Sequence, residues 1–167
     1  MTLEEFNQLD TEQCRKLLFN CCGSSSWTNE MLRNFPYASF DALEEQAVII
    51  FQNGTEQDWL EAFSHHPRLG DRKNLENKFA ATRHWAGEEQ AGTAAAAESI
   101  LSQLVQANLE YENKFGFTYI LCATGKSASF MLESLQDRLP NQRMVELTIA
   151  MEEQNKITKL RLKKLLS

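Results

Sequence analysis

Between Glu88 and Phe115 the residues Ile100, Leu104, Ala107, Tyr111 and Phe115 recur at steps of four, three, four and four. That spacing lines one face of a helix and makes this stretch the longest element of the chain. Ala94 to Ala97 add strong helix formers with small side chains, so a second helix can come close there. The one strand-like run is Phe115 to Ala123, with aromatic and apolar residues in succession after Gly116. No second convincing strand exists to pair with it. It is therefore expected as an extended buried segment near residues 116–123, between helices.

The rest of the chain is punctuated by helix starts. Thr2 with Glu5 and Asp10 with Gln13 have the spacing of capping boxes, and Thr55 with Asp58 opens another helix through Trp59, Leu60 and Phe63. Ser26 or Ser25 is expected to cap a short helix that breaks before Pro36. Ser39 precedes a helix closed by a left-handed stop at Asn53-Gly54. His65 to Leu75 reads as an ordered loop, followed by a helical stretch through Phe79 and Trp85. Ser127 to Leu139 is helical up to Pro140, and the last helix runs from about Asn141 to the end, its final turns rich in Lys and Arg. With no repeat, low-complexity tract or linker, the expectation is an all-α fold. It is a single-domain bundle of about eight helices over residues 1–167.

Composition narrows the partners. A net charge of −6 and the lack of a basic stripe argue against nucleic acid as the main ligand. No apolar run approaches the roughly 20 residues that span a bilayer. The first ten residues lack a basic stretch and the last five are not a peroxisomal address, so a cytoplasmic location is expected. Cys14, Cys21, Cys22 and Cys122 show no C-x-x-C spacing and read as reduced thiols.

Three places concentrate chemistry. His66, in the run His65 to Asp71, can exchange a proton near neutral pH, and Pro67 biases it away from the preceding helix. The plain alternative is a surface histidine at a helix end. Glu88, Glu89 and Gln90 open the long helix, where acids belong electrostatically and where a fixed carboxylate can also bind urea-like nitrogens. Arg161 shares a face with Ile157 and Leu165, which suggests that it points inward. Its partner would be an internal acid or a substrate carboxylate. Gly125-Lys126-Ser127 fails as a phosphate loop because Ile120 stands where a glycine is required. His65, His66 and His84 lack metal-ligand spacing, so no metal is expected.

Read in order, His66 to Asp71, Glu89 to Gly92, Phe115 to Ile120, Arg138 to Asn141 and Lys156 to Leu162 resemble one family, the 2-oxo-4-hydroxy-4-carboxy-5-ureidoimidazoline (OHCU) decarboxylases. The resemblance implies an all-helical, cofactor-free and metal-free enzyme of urate degradation. It would make (S)-allantoin from a small ureidoimidazoline, often as a homodimer. It further implies His66, Glu89 and Arg161 as catalytic residues. Pro67, Phe117 and the backbone around Ile120 would line the pocket beside Glu89 and Arg161. Many members carry a serine three residues before the glutamate; here that position is Ala86. The family's substrate also decays unaided to racemic allantoin, so the enzyme contributes speed and handedness. The rival readings are a non-catalytic helical interaction module and a metal-dependent hydrolase.

Overall fold

A computed structural model describes residues 1–66 and 91–167, with side chains of the second stretch from Glu98 onward. Among the described residues all regular structure is helical. The elements are α1 (Leu3–Asn7), α2 (Thr11–Cys22), α3 (Ser25–Arg33), α4 (Phe40–Gln52), α5 (Glu56–Ser64), α6 (Ala91–Phe115), α7 (Ala128–Arg138) and α8 (Arg143–Leu165). They fall into two compact units. Met1–His65 with Thr148–Ser167 form the first and His66–Leu147 the second.

Local chemistry sets most helix starts. Thr2, Asp10 and Thr55 each accept the N–H three residues on, and Glu5, Gln13 and Asp58 return a bond to the cap backbone. Ser39 and Ser127 cap α4 and α7 as single acceptors. Two expectations are corrected. The cap of α3 is Ser24, not Ser25 or Ser26, because Gly23 at φ +85° turns the chain tightly enough for α3 to start at once. Asn53 ends α4 at φ −85° rather than left-handed. The Trp59 indole donates to the Phe51 carbonyl at 2.6 Å, so this helix end is satisfied without that turn.

In the first unit α3 packs against α2, α4 and α5. Phe6, Leu18, Trp27, Met31, Leu43, Phe51 and Phe63 are buried, and the Trp27 indole donates to the Ala47 carbonyl at 2.8 Å. Within the second unit α6 packs against α7. The buried face of α6 is Leu101, Leu104, Ala107, Asn108, Tyr111 and Phe115, so Leu101 takes the inward place expected of Ile100. Gly116 at φ +81° stops α6. The next residues form neither helix nor strand, as expected, and Phe117 to Ile120 are buried while Leu121 to Ala123 are half-buried.

All four cysteines are free thiols. Burial pushes Cys21 up from 9.0 to about 11, partly offset by the charge of Arg161. It pushes Cys22 to about 12, partly offset by hydrogen bonds with Ser24 and Thr158. Above pH 9 the unfolded chain therefore gives up protons that the folded protein keeps, so rising pH favours unfolding. Tyr37, Tyr111 and Tyr119 are raised by burial too and act in the same direction. Stability is expected to be unaffected by these groups below pH 9 and to fall between pH 9 and 12. Urea midpoints measured from pH 7 to 11 check this; a flat profile would contradict it.

Candidate active site

His66 follows directly on the C-terminus of α5, half-buried in a bend. The residue before it is locked in the first unit. The His65 ring meets Phe19 edge-on at 5.1 Å, and Gly23 lies against its other atoms. A β-carbon placed on Gly23 would stand 3.1 Å from His65 Cβ and 3.2 Å from Cδ2. The left-handed turn and the close approach both call for glycine there. Gly23→Ala is expected to lower stability by about 1–2 kcal/mol, a melting-point drop of roughly 2–8 °C. Thermal unfolding followed by circular dichroism measures it.

Arg161 meets the same turn from α8. Its Nη1 donates to the Cys21 carbonyl at 3.2 Å and, more weakly, to the Asn20 carbonyl at 3.5 Å. Gln154 donates to the Cys22 carbonyl at 3.3 Å, and the Gly23 N–H donates to Phe19 at 2.7 Å. The last four carbonyls of α2 are thus all satisfied, and a cation sits where the helix dipole favours one. The inward placement expected of Arg161 is corrected to a half-buried one, with the Asn20 and Cys21 carbonyls as hydrogen-bond partners. Ile157, Arg161 and Leu165 are half-buried on the flank of α8, whose buried face carries Ala150, Met151, Gln154, Asn155, Thr158 and Leu162.

Phe117 and Ile120 lie together in the second unit. Phe117 meets the Tyr111 ring edge-on at 5.8 Å, and Tyr111 also contacts Phe115 at 4.6 Å and Tyr119 at 5.2 Å. The Ile120 carbonyl accepts from Arg138 Nη1 at 2.8 Å. Arg138 Nε and Nη2 hold Glu146 Oε1 at 2.7 and 2.5 Å, Tyr111 donates to the same oxygen, and Asn141 donates to Oε2 at 2.9 Å. Glu146 is wholly buried and Arg138 is 8% exposed. Such a pair is tolerable only because nearly every lone pair and proton has a partner. Burial raises the Tyr111 phenol well above its ordinary range, and the bond to Glu146 adds to this, so Tyr111 remains a donor. Arg138, Glu146, Gly23 and Gln154 were not singled out from the sequence.

Glu89 and Pro67 lie outside the described residues, as do Ala86 and His84. Among the described residues no cluster of three or more His, Cys, Asp or Glu side chains suits a metal ion. None of the described helices is long and apolar enough to cross a membrane.

The comparison with known proteins decides the family. The model of the OHCU decarboxylase family matches residues 7–163. The chain belongs to the OHCU decarboxylase family. Its relatives include the uric acid degradation bifunctional protein TTL of Arabidopsis thaliana, 39% identical over 88% of this chain and 45% of that protein. The uric acid degradation bifunctional protein of Bacillus sp. (strain TB-90) is 28% identical over 99% of this chain, which spans 32% of its length. A 2-oxo-4-hydroxy-4-carboxy-5-ureidoimidazoline decarboxylase of Halalkalicoccus jeotgali is 26% identical over 99% of this chain and 92% of its own. This chain thus spans less than half of either bifunctional relative. Among solved structures, a crystal structure of OHCU decarboxylase in the presence of (S)-allantoin aligns with a TM-score of 0.73 at 34% identity. It covers 95% of this chain and 99% of that one. The all-α fold expected of the family is the fold found.

Proposed function

We propose that this protein decarboxylates 2-oxo-4-hydroxy-4-carboxy-5-ureidoimidazoline to (S)-allantoin in urate degradation. The observation that carries the reading is the likeness, at 34% identity over 95% of the chain, to an OHCU decarboxylase crystallised in the presence of (S)-allantoin. The family match over residues 7–163 runs through both compact units, which supports treating residues 1–167 as one domain.

The substrate makes the reaction feasible without an external electron sink. Its hydroxyl and carboxylate share one ring carbon, beside a carbon double-bonded to nitrogen. When the bond to the carboxylate breaks, its electron pair forms a double bond to the neighbouring carbon, and the imine pair moves to nitrogen, which takes a proton. The resulting enol then loses its hydroxyl proton while the neighbouring carbon is protonated on one face. The protein must supply orientation and proton control. In this reading His66 handles the hydroxyl proton or the ring protonation, and Glu89 anchors the urea-like nitrogens. Arg161 offers a guanidinium to a substrate oxygen, its plane oriented by the α2 carbonyls that Nη1 holds. Pro67, Phe117 and the Ile120 backbone line the pocket. The free thiols suit a reducing compartment, so the proposal places the protein in the cytoplasm. A homodimer would cover exposed apolar side chains such as Leu109 on α6.

The test is circular dichroism of the product formed from freshly generated substrate, with and without the protein. Rapid appearance of one-handed allantoin that survives a chelator supports the proposal. Slow, optically silent conversion in both samples overturns it in favour of a non-catalytic module.

A further inference from the structure

Arg138 makes contacts that an ion pair alone does not require. While Nε and Nη2 hold Glu146, Nη1 reaches 18 residues back along the chain to the Ile120 carbonyl, and the guanidinium lies over the Tyr119 ring at 4.5 Å. The segment it grips has no helical or strand ladder to fix its backbone, although Phe117 to Ile120 are buried. Its peptide groups need partners from outside the segment. Arg143 supplies one at the near end, donating from Nε to the Phe115 carbonyl at 3.1 Å. Tyr119 is tied on its outer side by its hydroxyl, which donates to Ser134 of α7 at 2.8 Å.

A planar trans peptide turns as one piece, so holding the Ile120 carbonyl on Arg138 also sends the Leu121 N–H the opposite way. Rotation of that peptide would break a charge-assisted bond and strand a buried carbonyl. Glu146 in turn fixes the guanidinium plane through two of its nitrogens. The aromatic rings of Tyr111, Phe117 and Tyr119, which meet edge-on, carry the restraint along the segment.

We propose that Arg138 is a positioning residue for the decarboxylation: braced by Glu146, it sets the orientation of the Ile120 peptide and so the shape of the pocket wall formed by Phe117 and Ile120. This deepens the functional reading above and rests on it. A wall of fixed orientation favours one face of the planar enol for protonation, so the effect falls on substrate affinity and on handedness. The proton transfers themselves are left to other groups.

The decisive variant is Arg138→Lys. A lysine keeps the charge beside Glu146 but has one nitrogen and no fork, so it does not hold both Glu146 and the Ile120 carbonyl in that geometry. The folded variant is expected to show KM raised about tenfold or more. It is also expected to lose (S)-excess in its allantoin, with an unchanged pH profile. Wild-type KM and wild-type handedness would overturn the proposal, as would an activity loss that only tracks the unfolded fraction. Should the lysine variant not fold, Tyr119→Leu takes its place, since it removes the ring beneath the guanidinium and keeps the ion pair. It is expected to shift KM and handedness in the same direction by a smaller factor, and an unchanged profile overturns the proposal. Wild-type protein that gives no (S)-allantoin would instead overturn the functional reading itself, so the two failures are distinguishable.

Discussion

His66→Asn is expected to fold as the wild type does and to lose about 10²–10⁴ of its rate, the usual contribution of a positioned general acid or base. Asparagine keeps a polar side chain of similar reach but cannot take up or release a proton near pH 7. The ring that packs on Phe19 and Gly23 is that of the neighbouring His65, which the substitution leaves in place. His66 itself is half-buried at the end of α5, beyond the last helical turn. Because the substrate decays unaided to racemic allantoin, total product is a poor readout. The measurement is the initial rate of the one-handed circular dichroism signal, with far-ultraviolet spectra as the folding control. A folded variant that retains full rate and full handedness would remove His66 from the mechanism.

The features legible in the sequence are those that depend on neighbours a few residues away. The capping boxes at Thr2, Asp10 and Thr55 form because donor and acceptor are three residues apart, whatever the rest of the chain does. Gly116 was legible as the stop of α6 for the same local reason. Apart from the cap of α3, the misses are non-local. Asn53-Gly54 looks like a left-handed stop until Trp59 supplies the donor for the Phe51 carbonyl. Gly23 caps α2, yet its closest constraint is a side chain 42 positions later, at His65. The face of α8 was misjudged because Ile157 and Leu165 are apolar, whereas Gln154, Asn155 and Thr158 are buried. Gln154 is buried with partners, donating to the Cys22 carbonyl and to Thr158, a pairing that periodicity does not reveal.

Arg138 could have been found by the reasoning applied to Arg161. It lies three residues after Leu135 and seven after Met131, both buried, so it shares the inward face of α7. An inward arginine demands an acceptor, and the segment contained one in Glu146, eight residues on. Arg138 belonged to the run that carried the family resemblance, but a run of residues does not say which of them carries weight. The site residues divide similarly. Phe117 was legible as buried from its apolar neighbours, but only the structure gives the carbonyl of Ile120 its partner.

The largest stability effect is expected at Glu146. Glu146→Leu leaves Arg138 buried at 8% exposure without its carboxylate, and it also strips an acceptor from Tyr111 and Asn141. Removing one partner of a buried pair costs about 3–5 kcal/mol, a large share of the stability of a domain. The lost Coulomb attraction is only part of this, since the desolvated guanidinium remains and must draw in water or disrupt the packing around Tyr111. The paired substitution Arg138→Met with Glu146→Leu removes both charges and is expected to recover part of the loss. Recovery is incomplete because the Ile120 carbonyl, the Tyr111 hydroxyl and the Asn141 amide then lack their partners. Urea unfolding of the two single variants and the double variant measures the coupling. A double variant less stable than either single one, by the sum of their losses, would mean that the two charges act independently. A double variant more stable than Glu146→Leu alone would identify the uncompensated cation as the source of the cost.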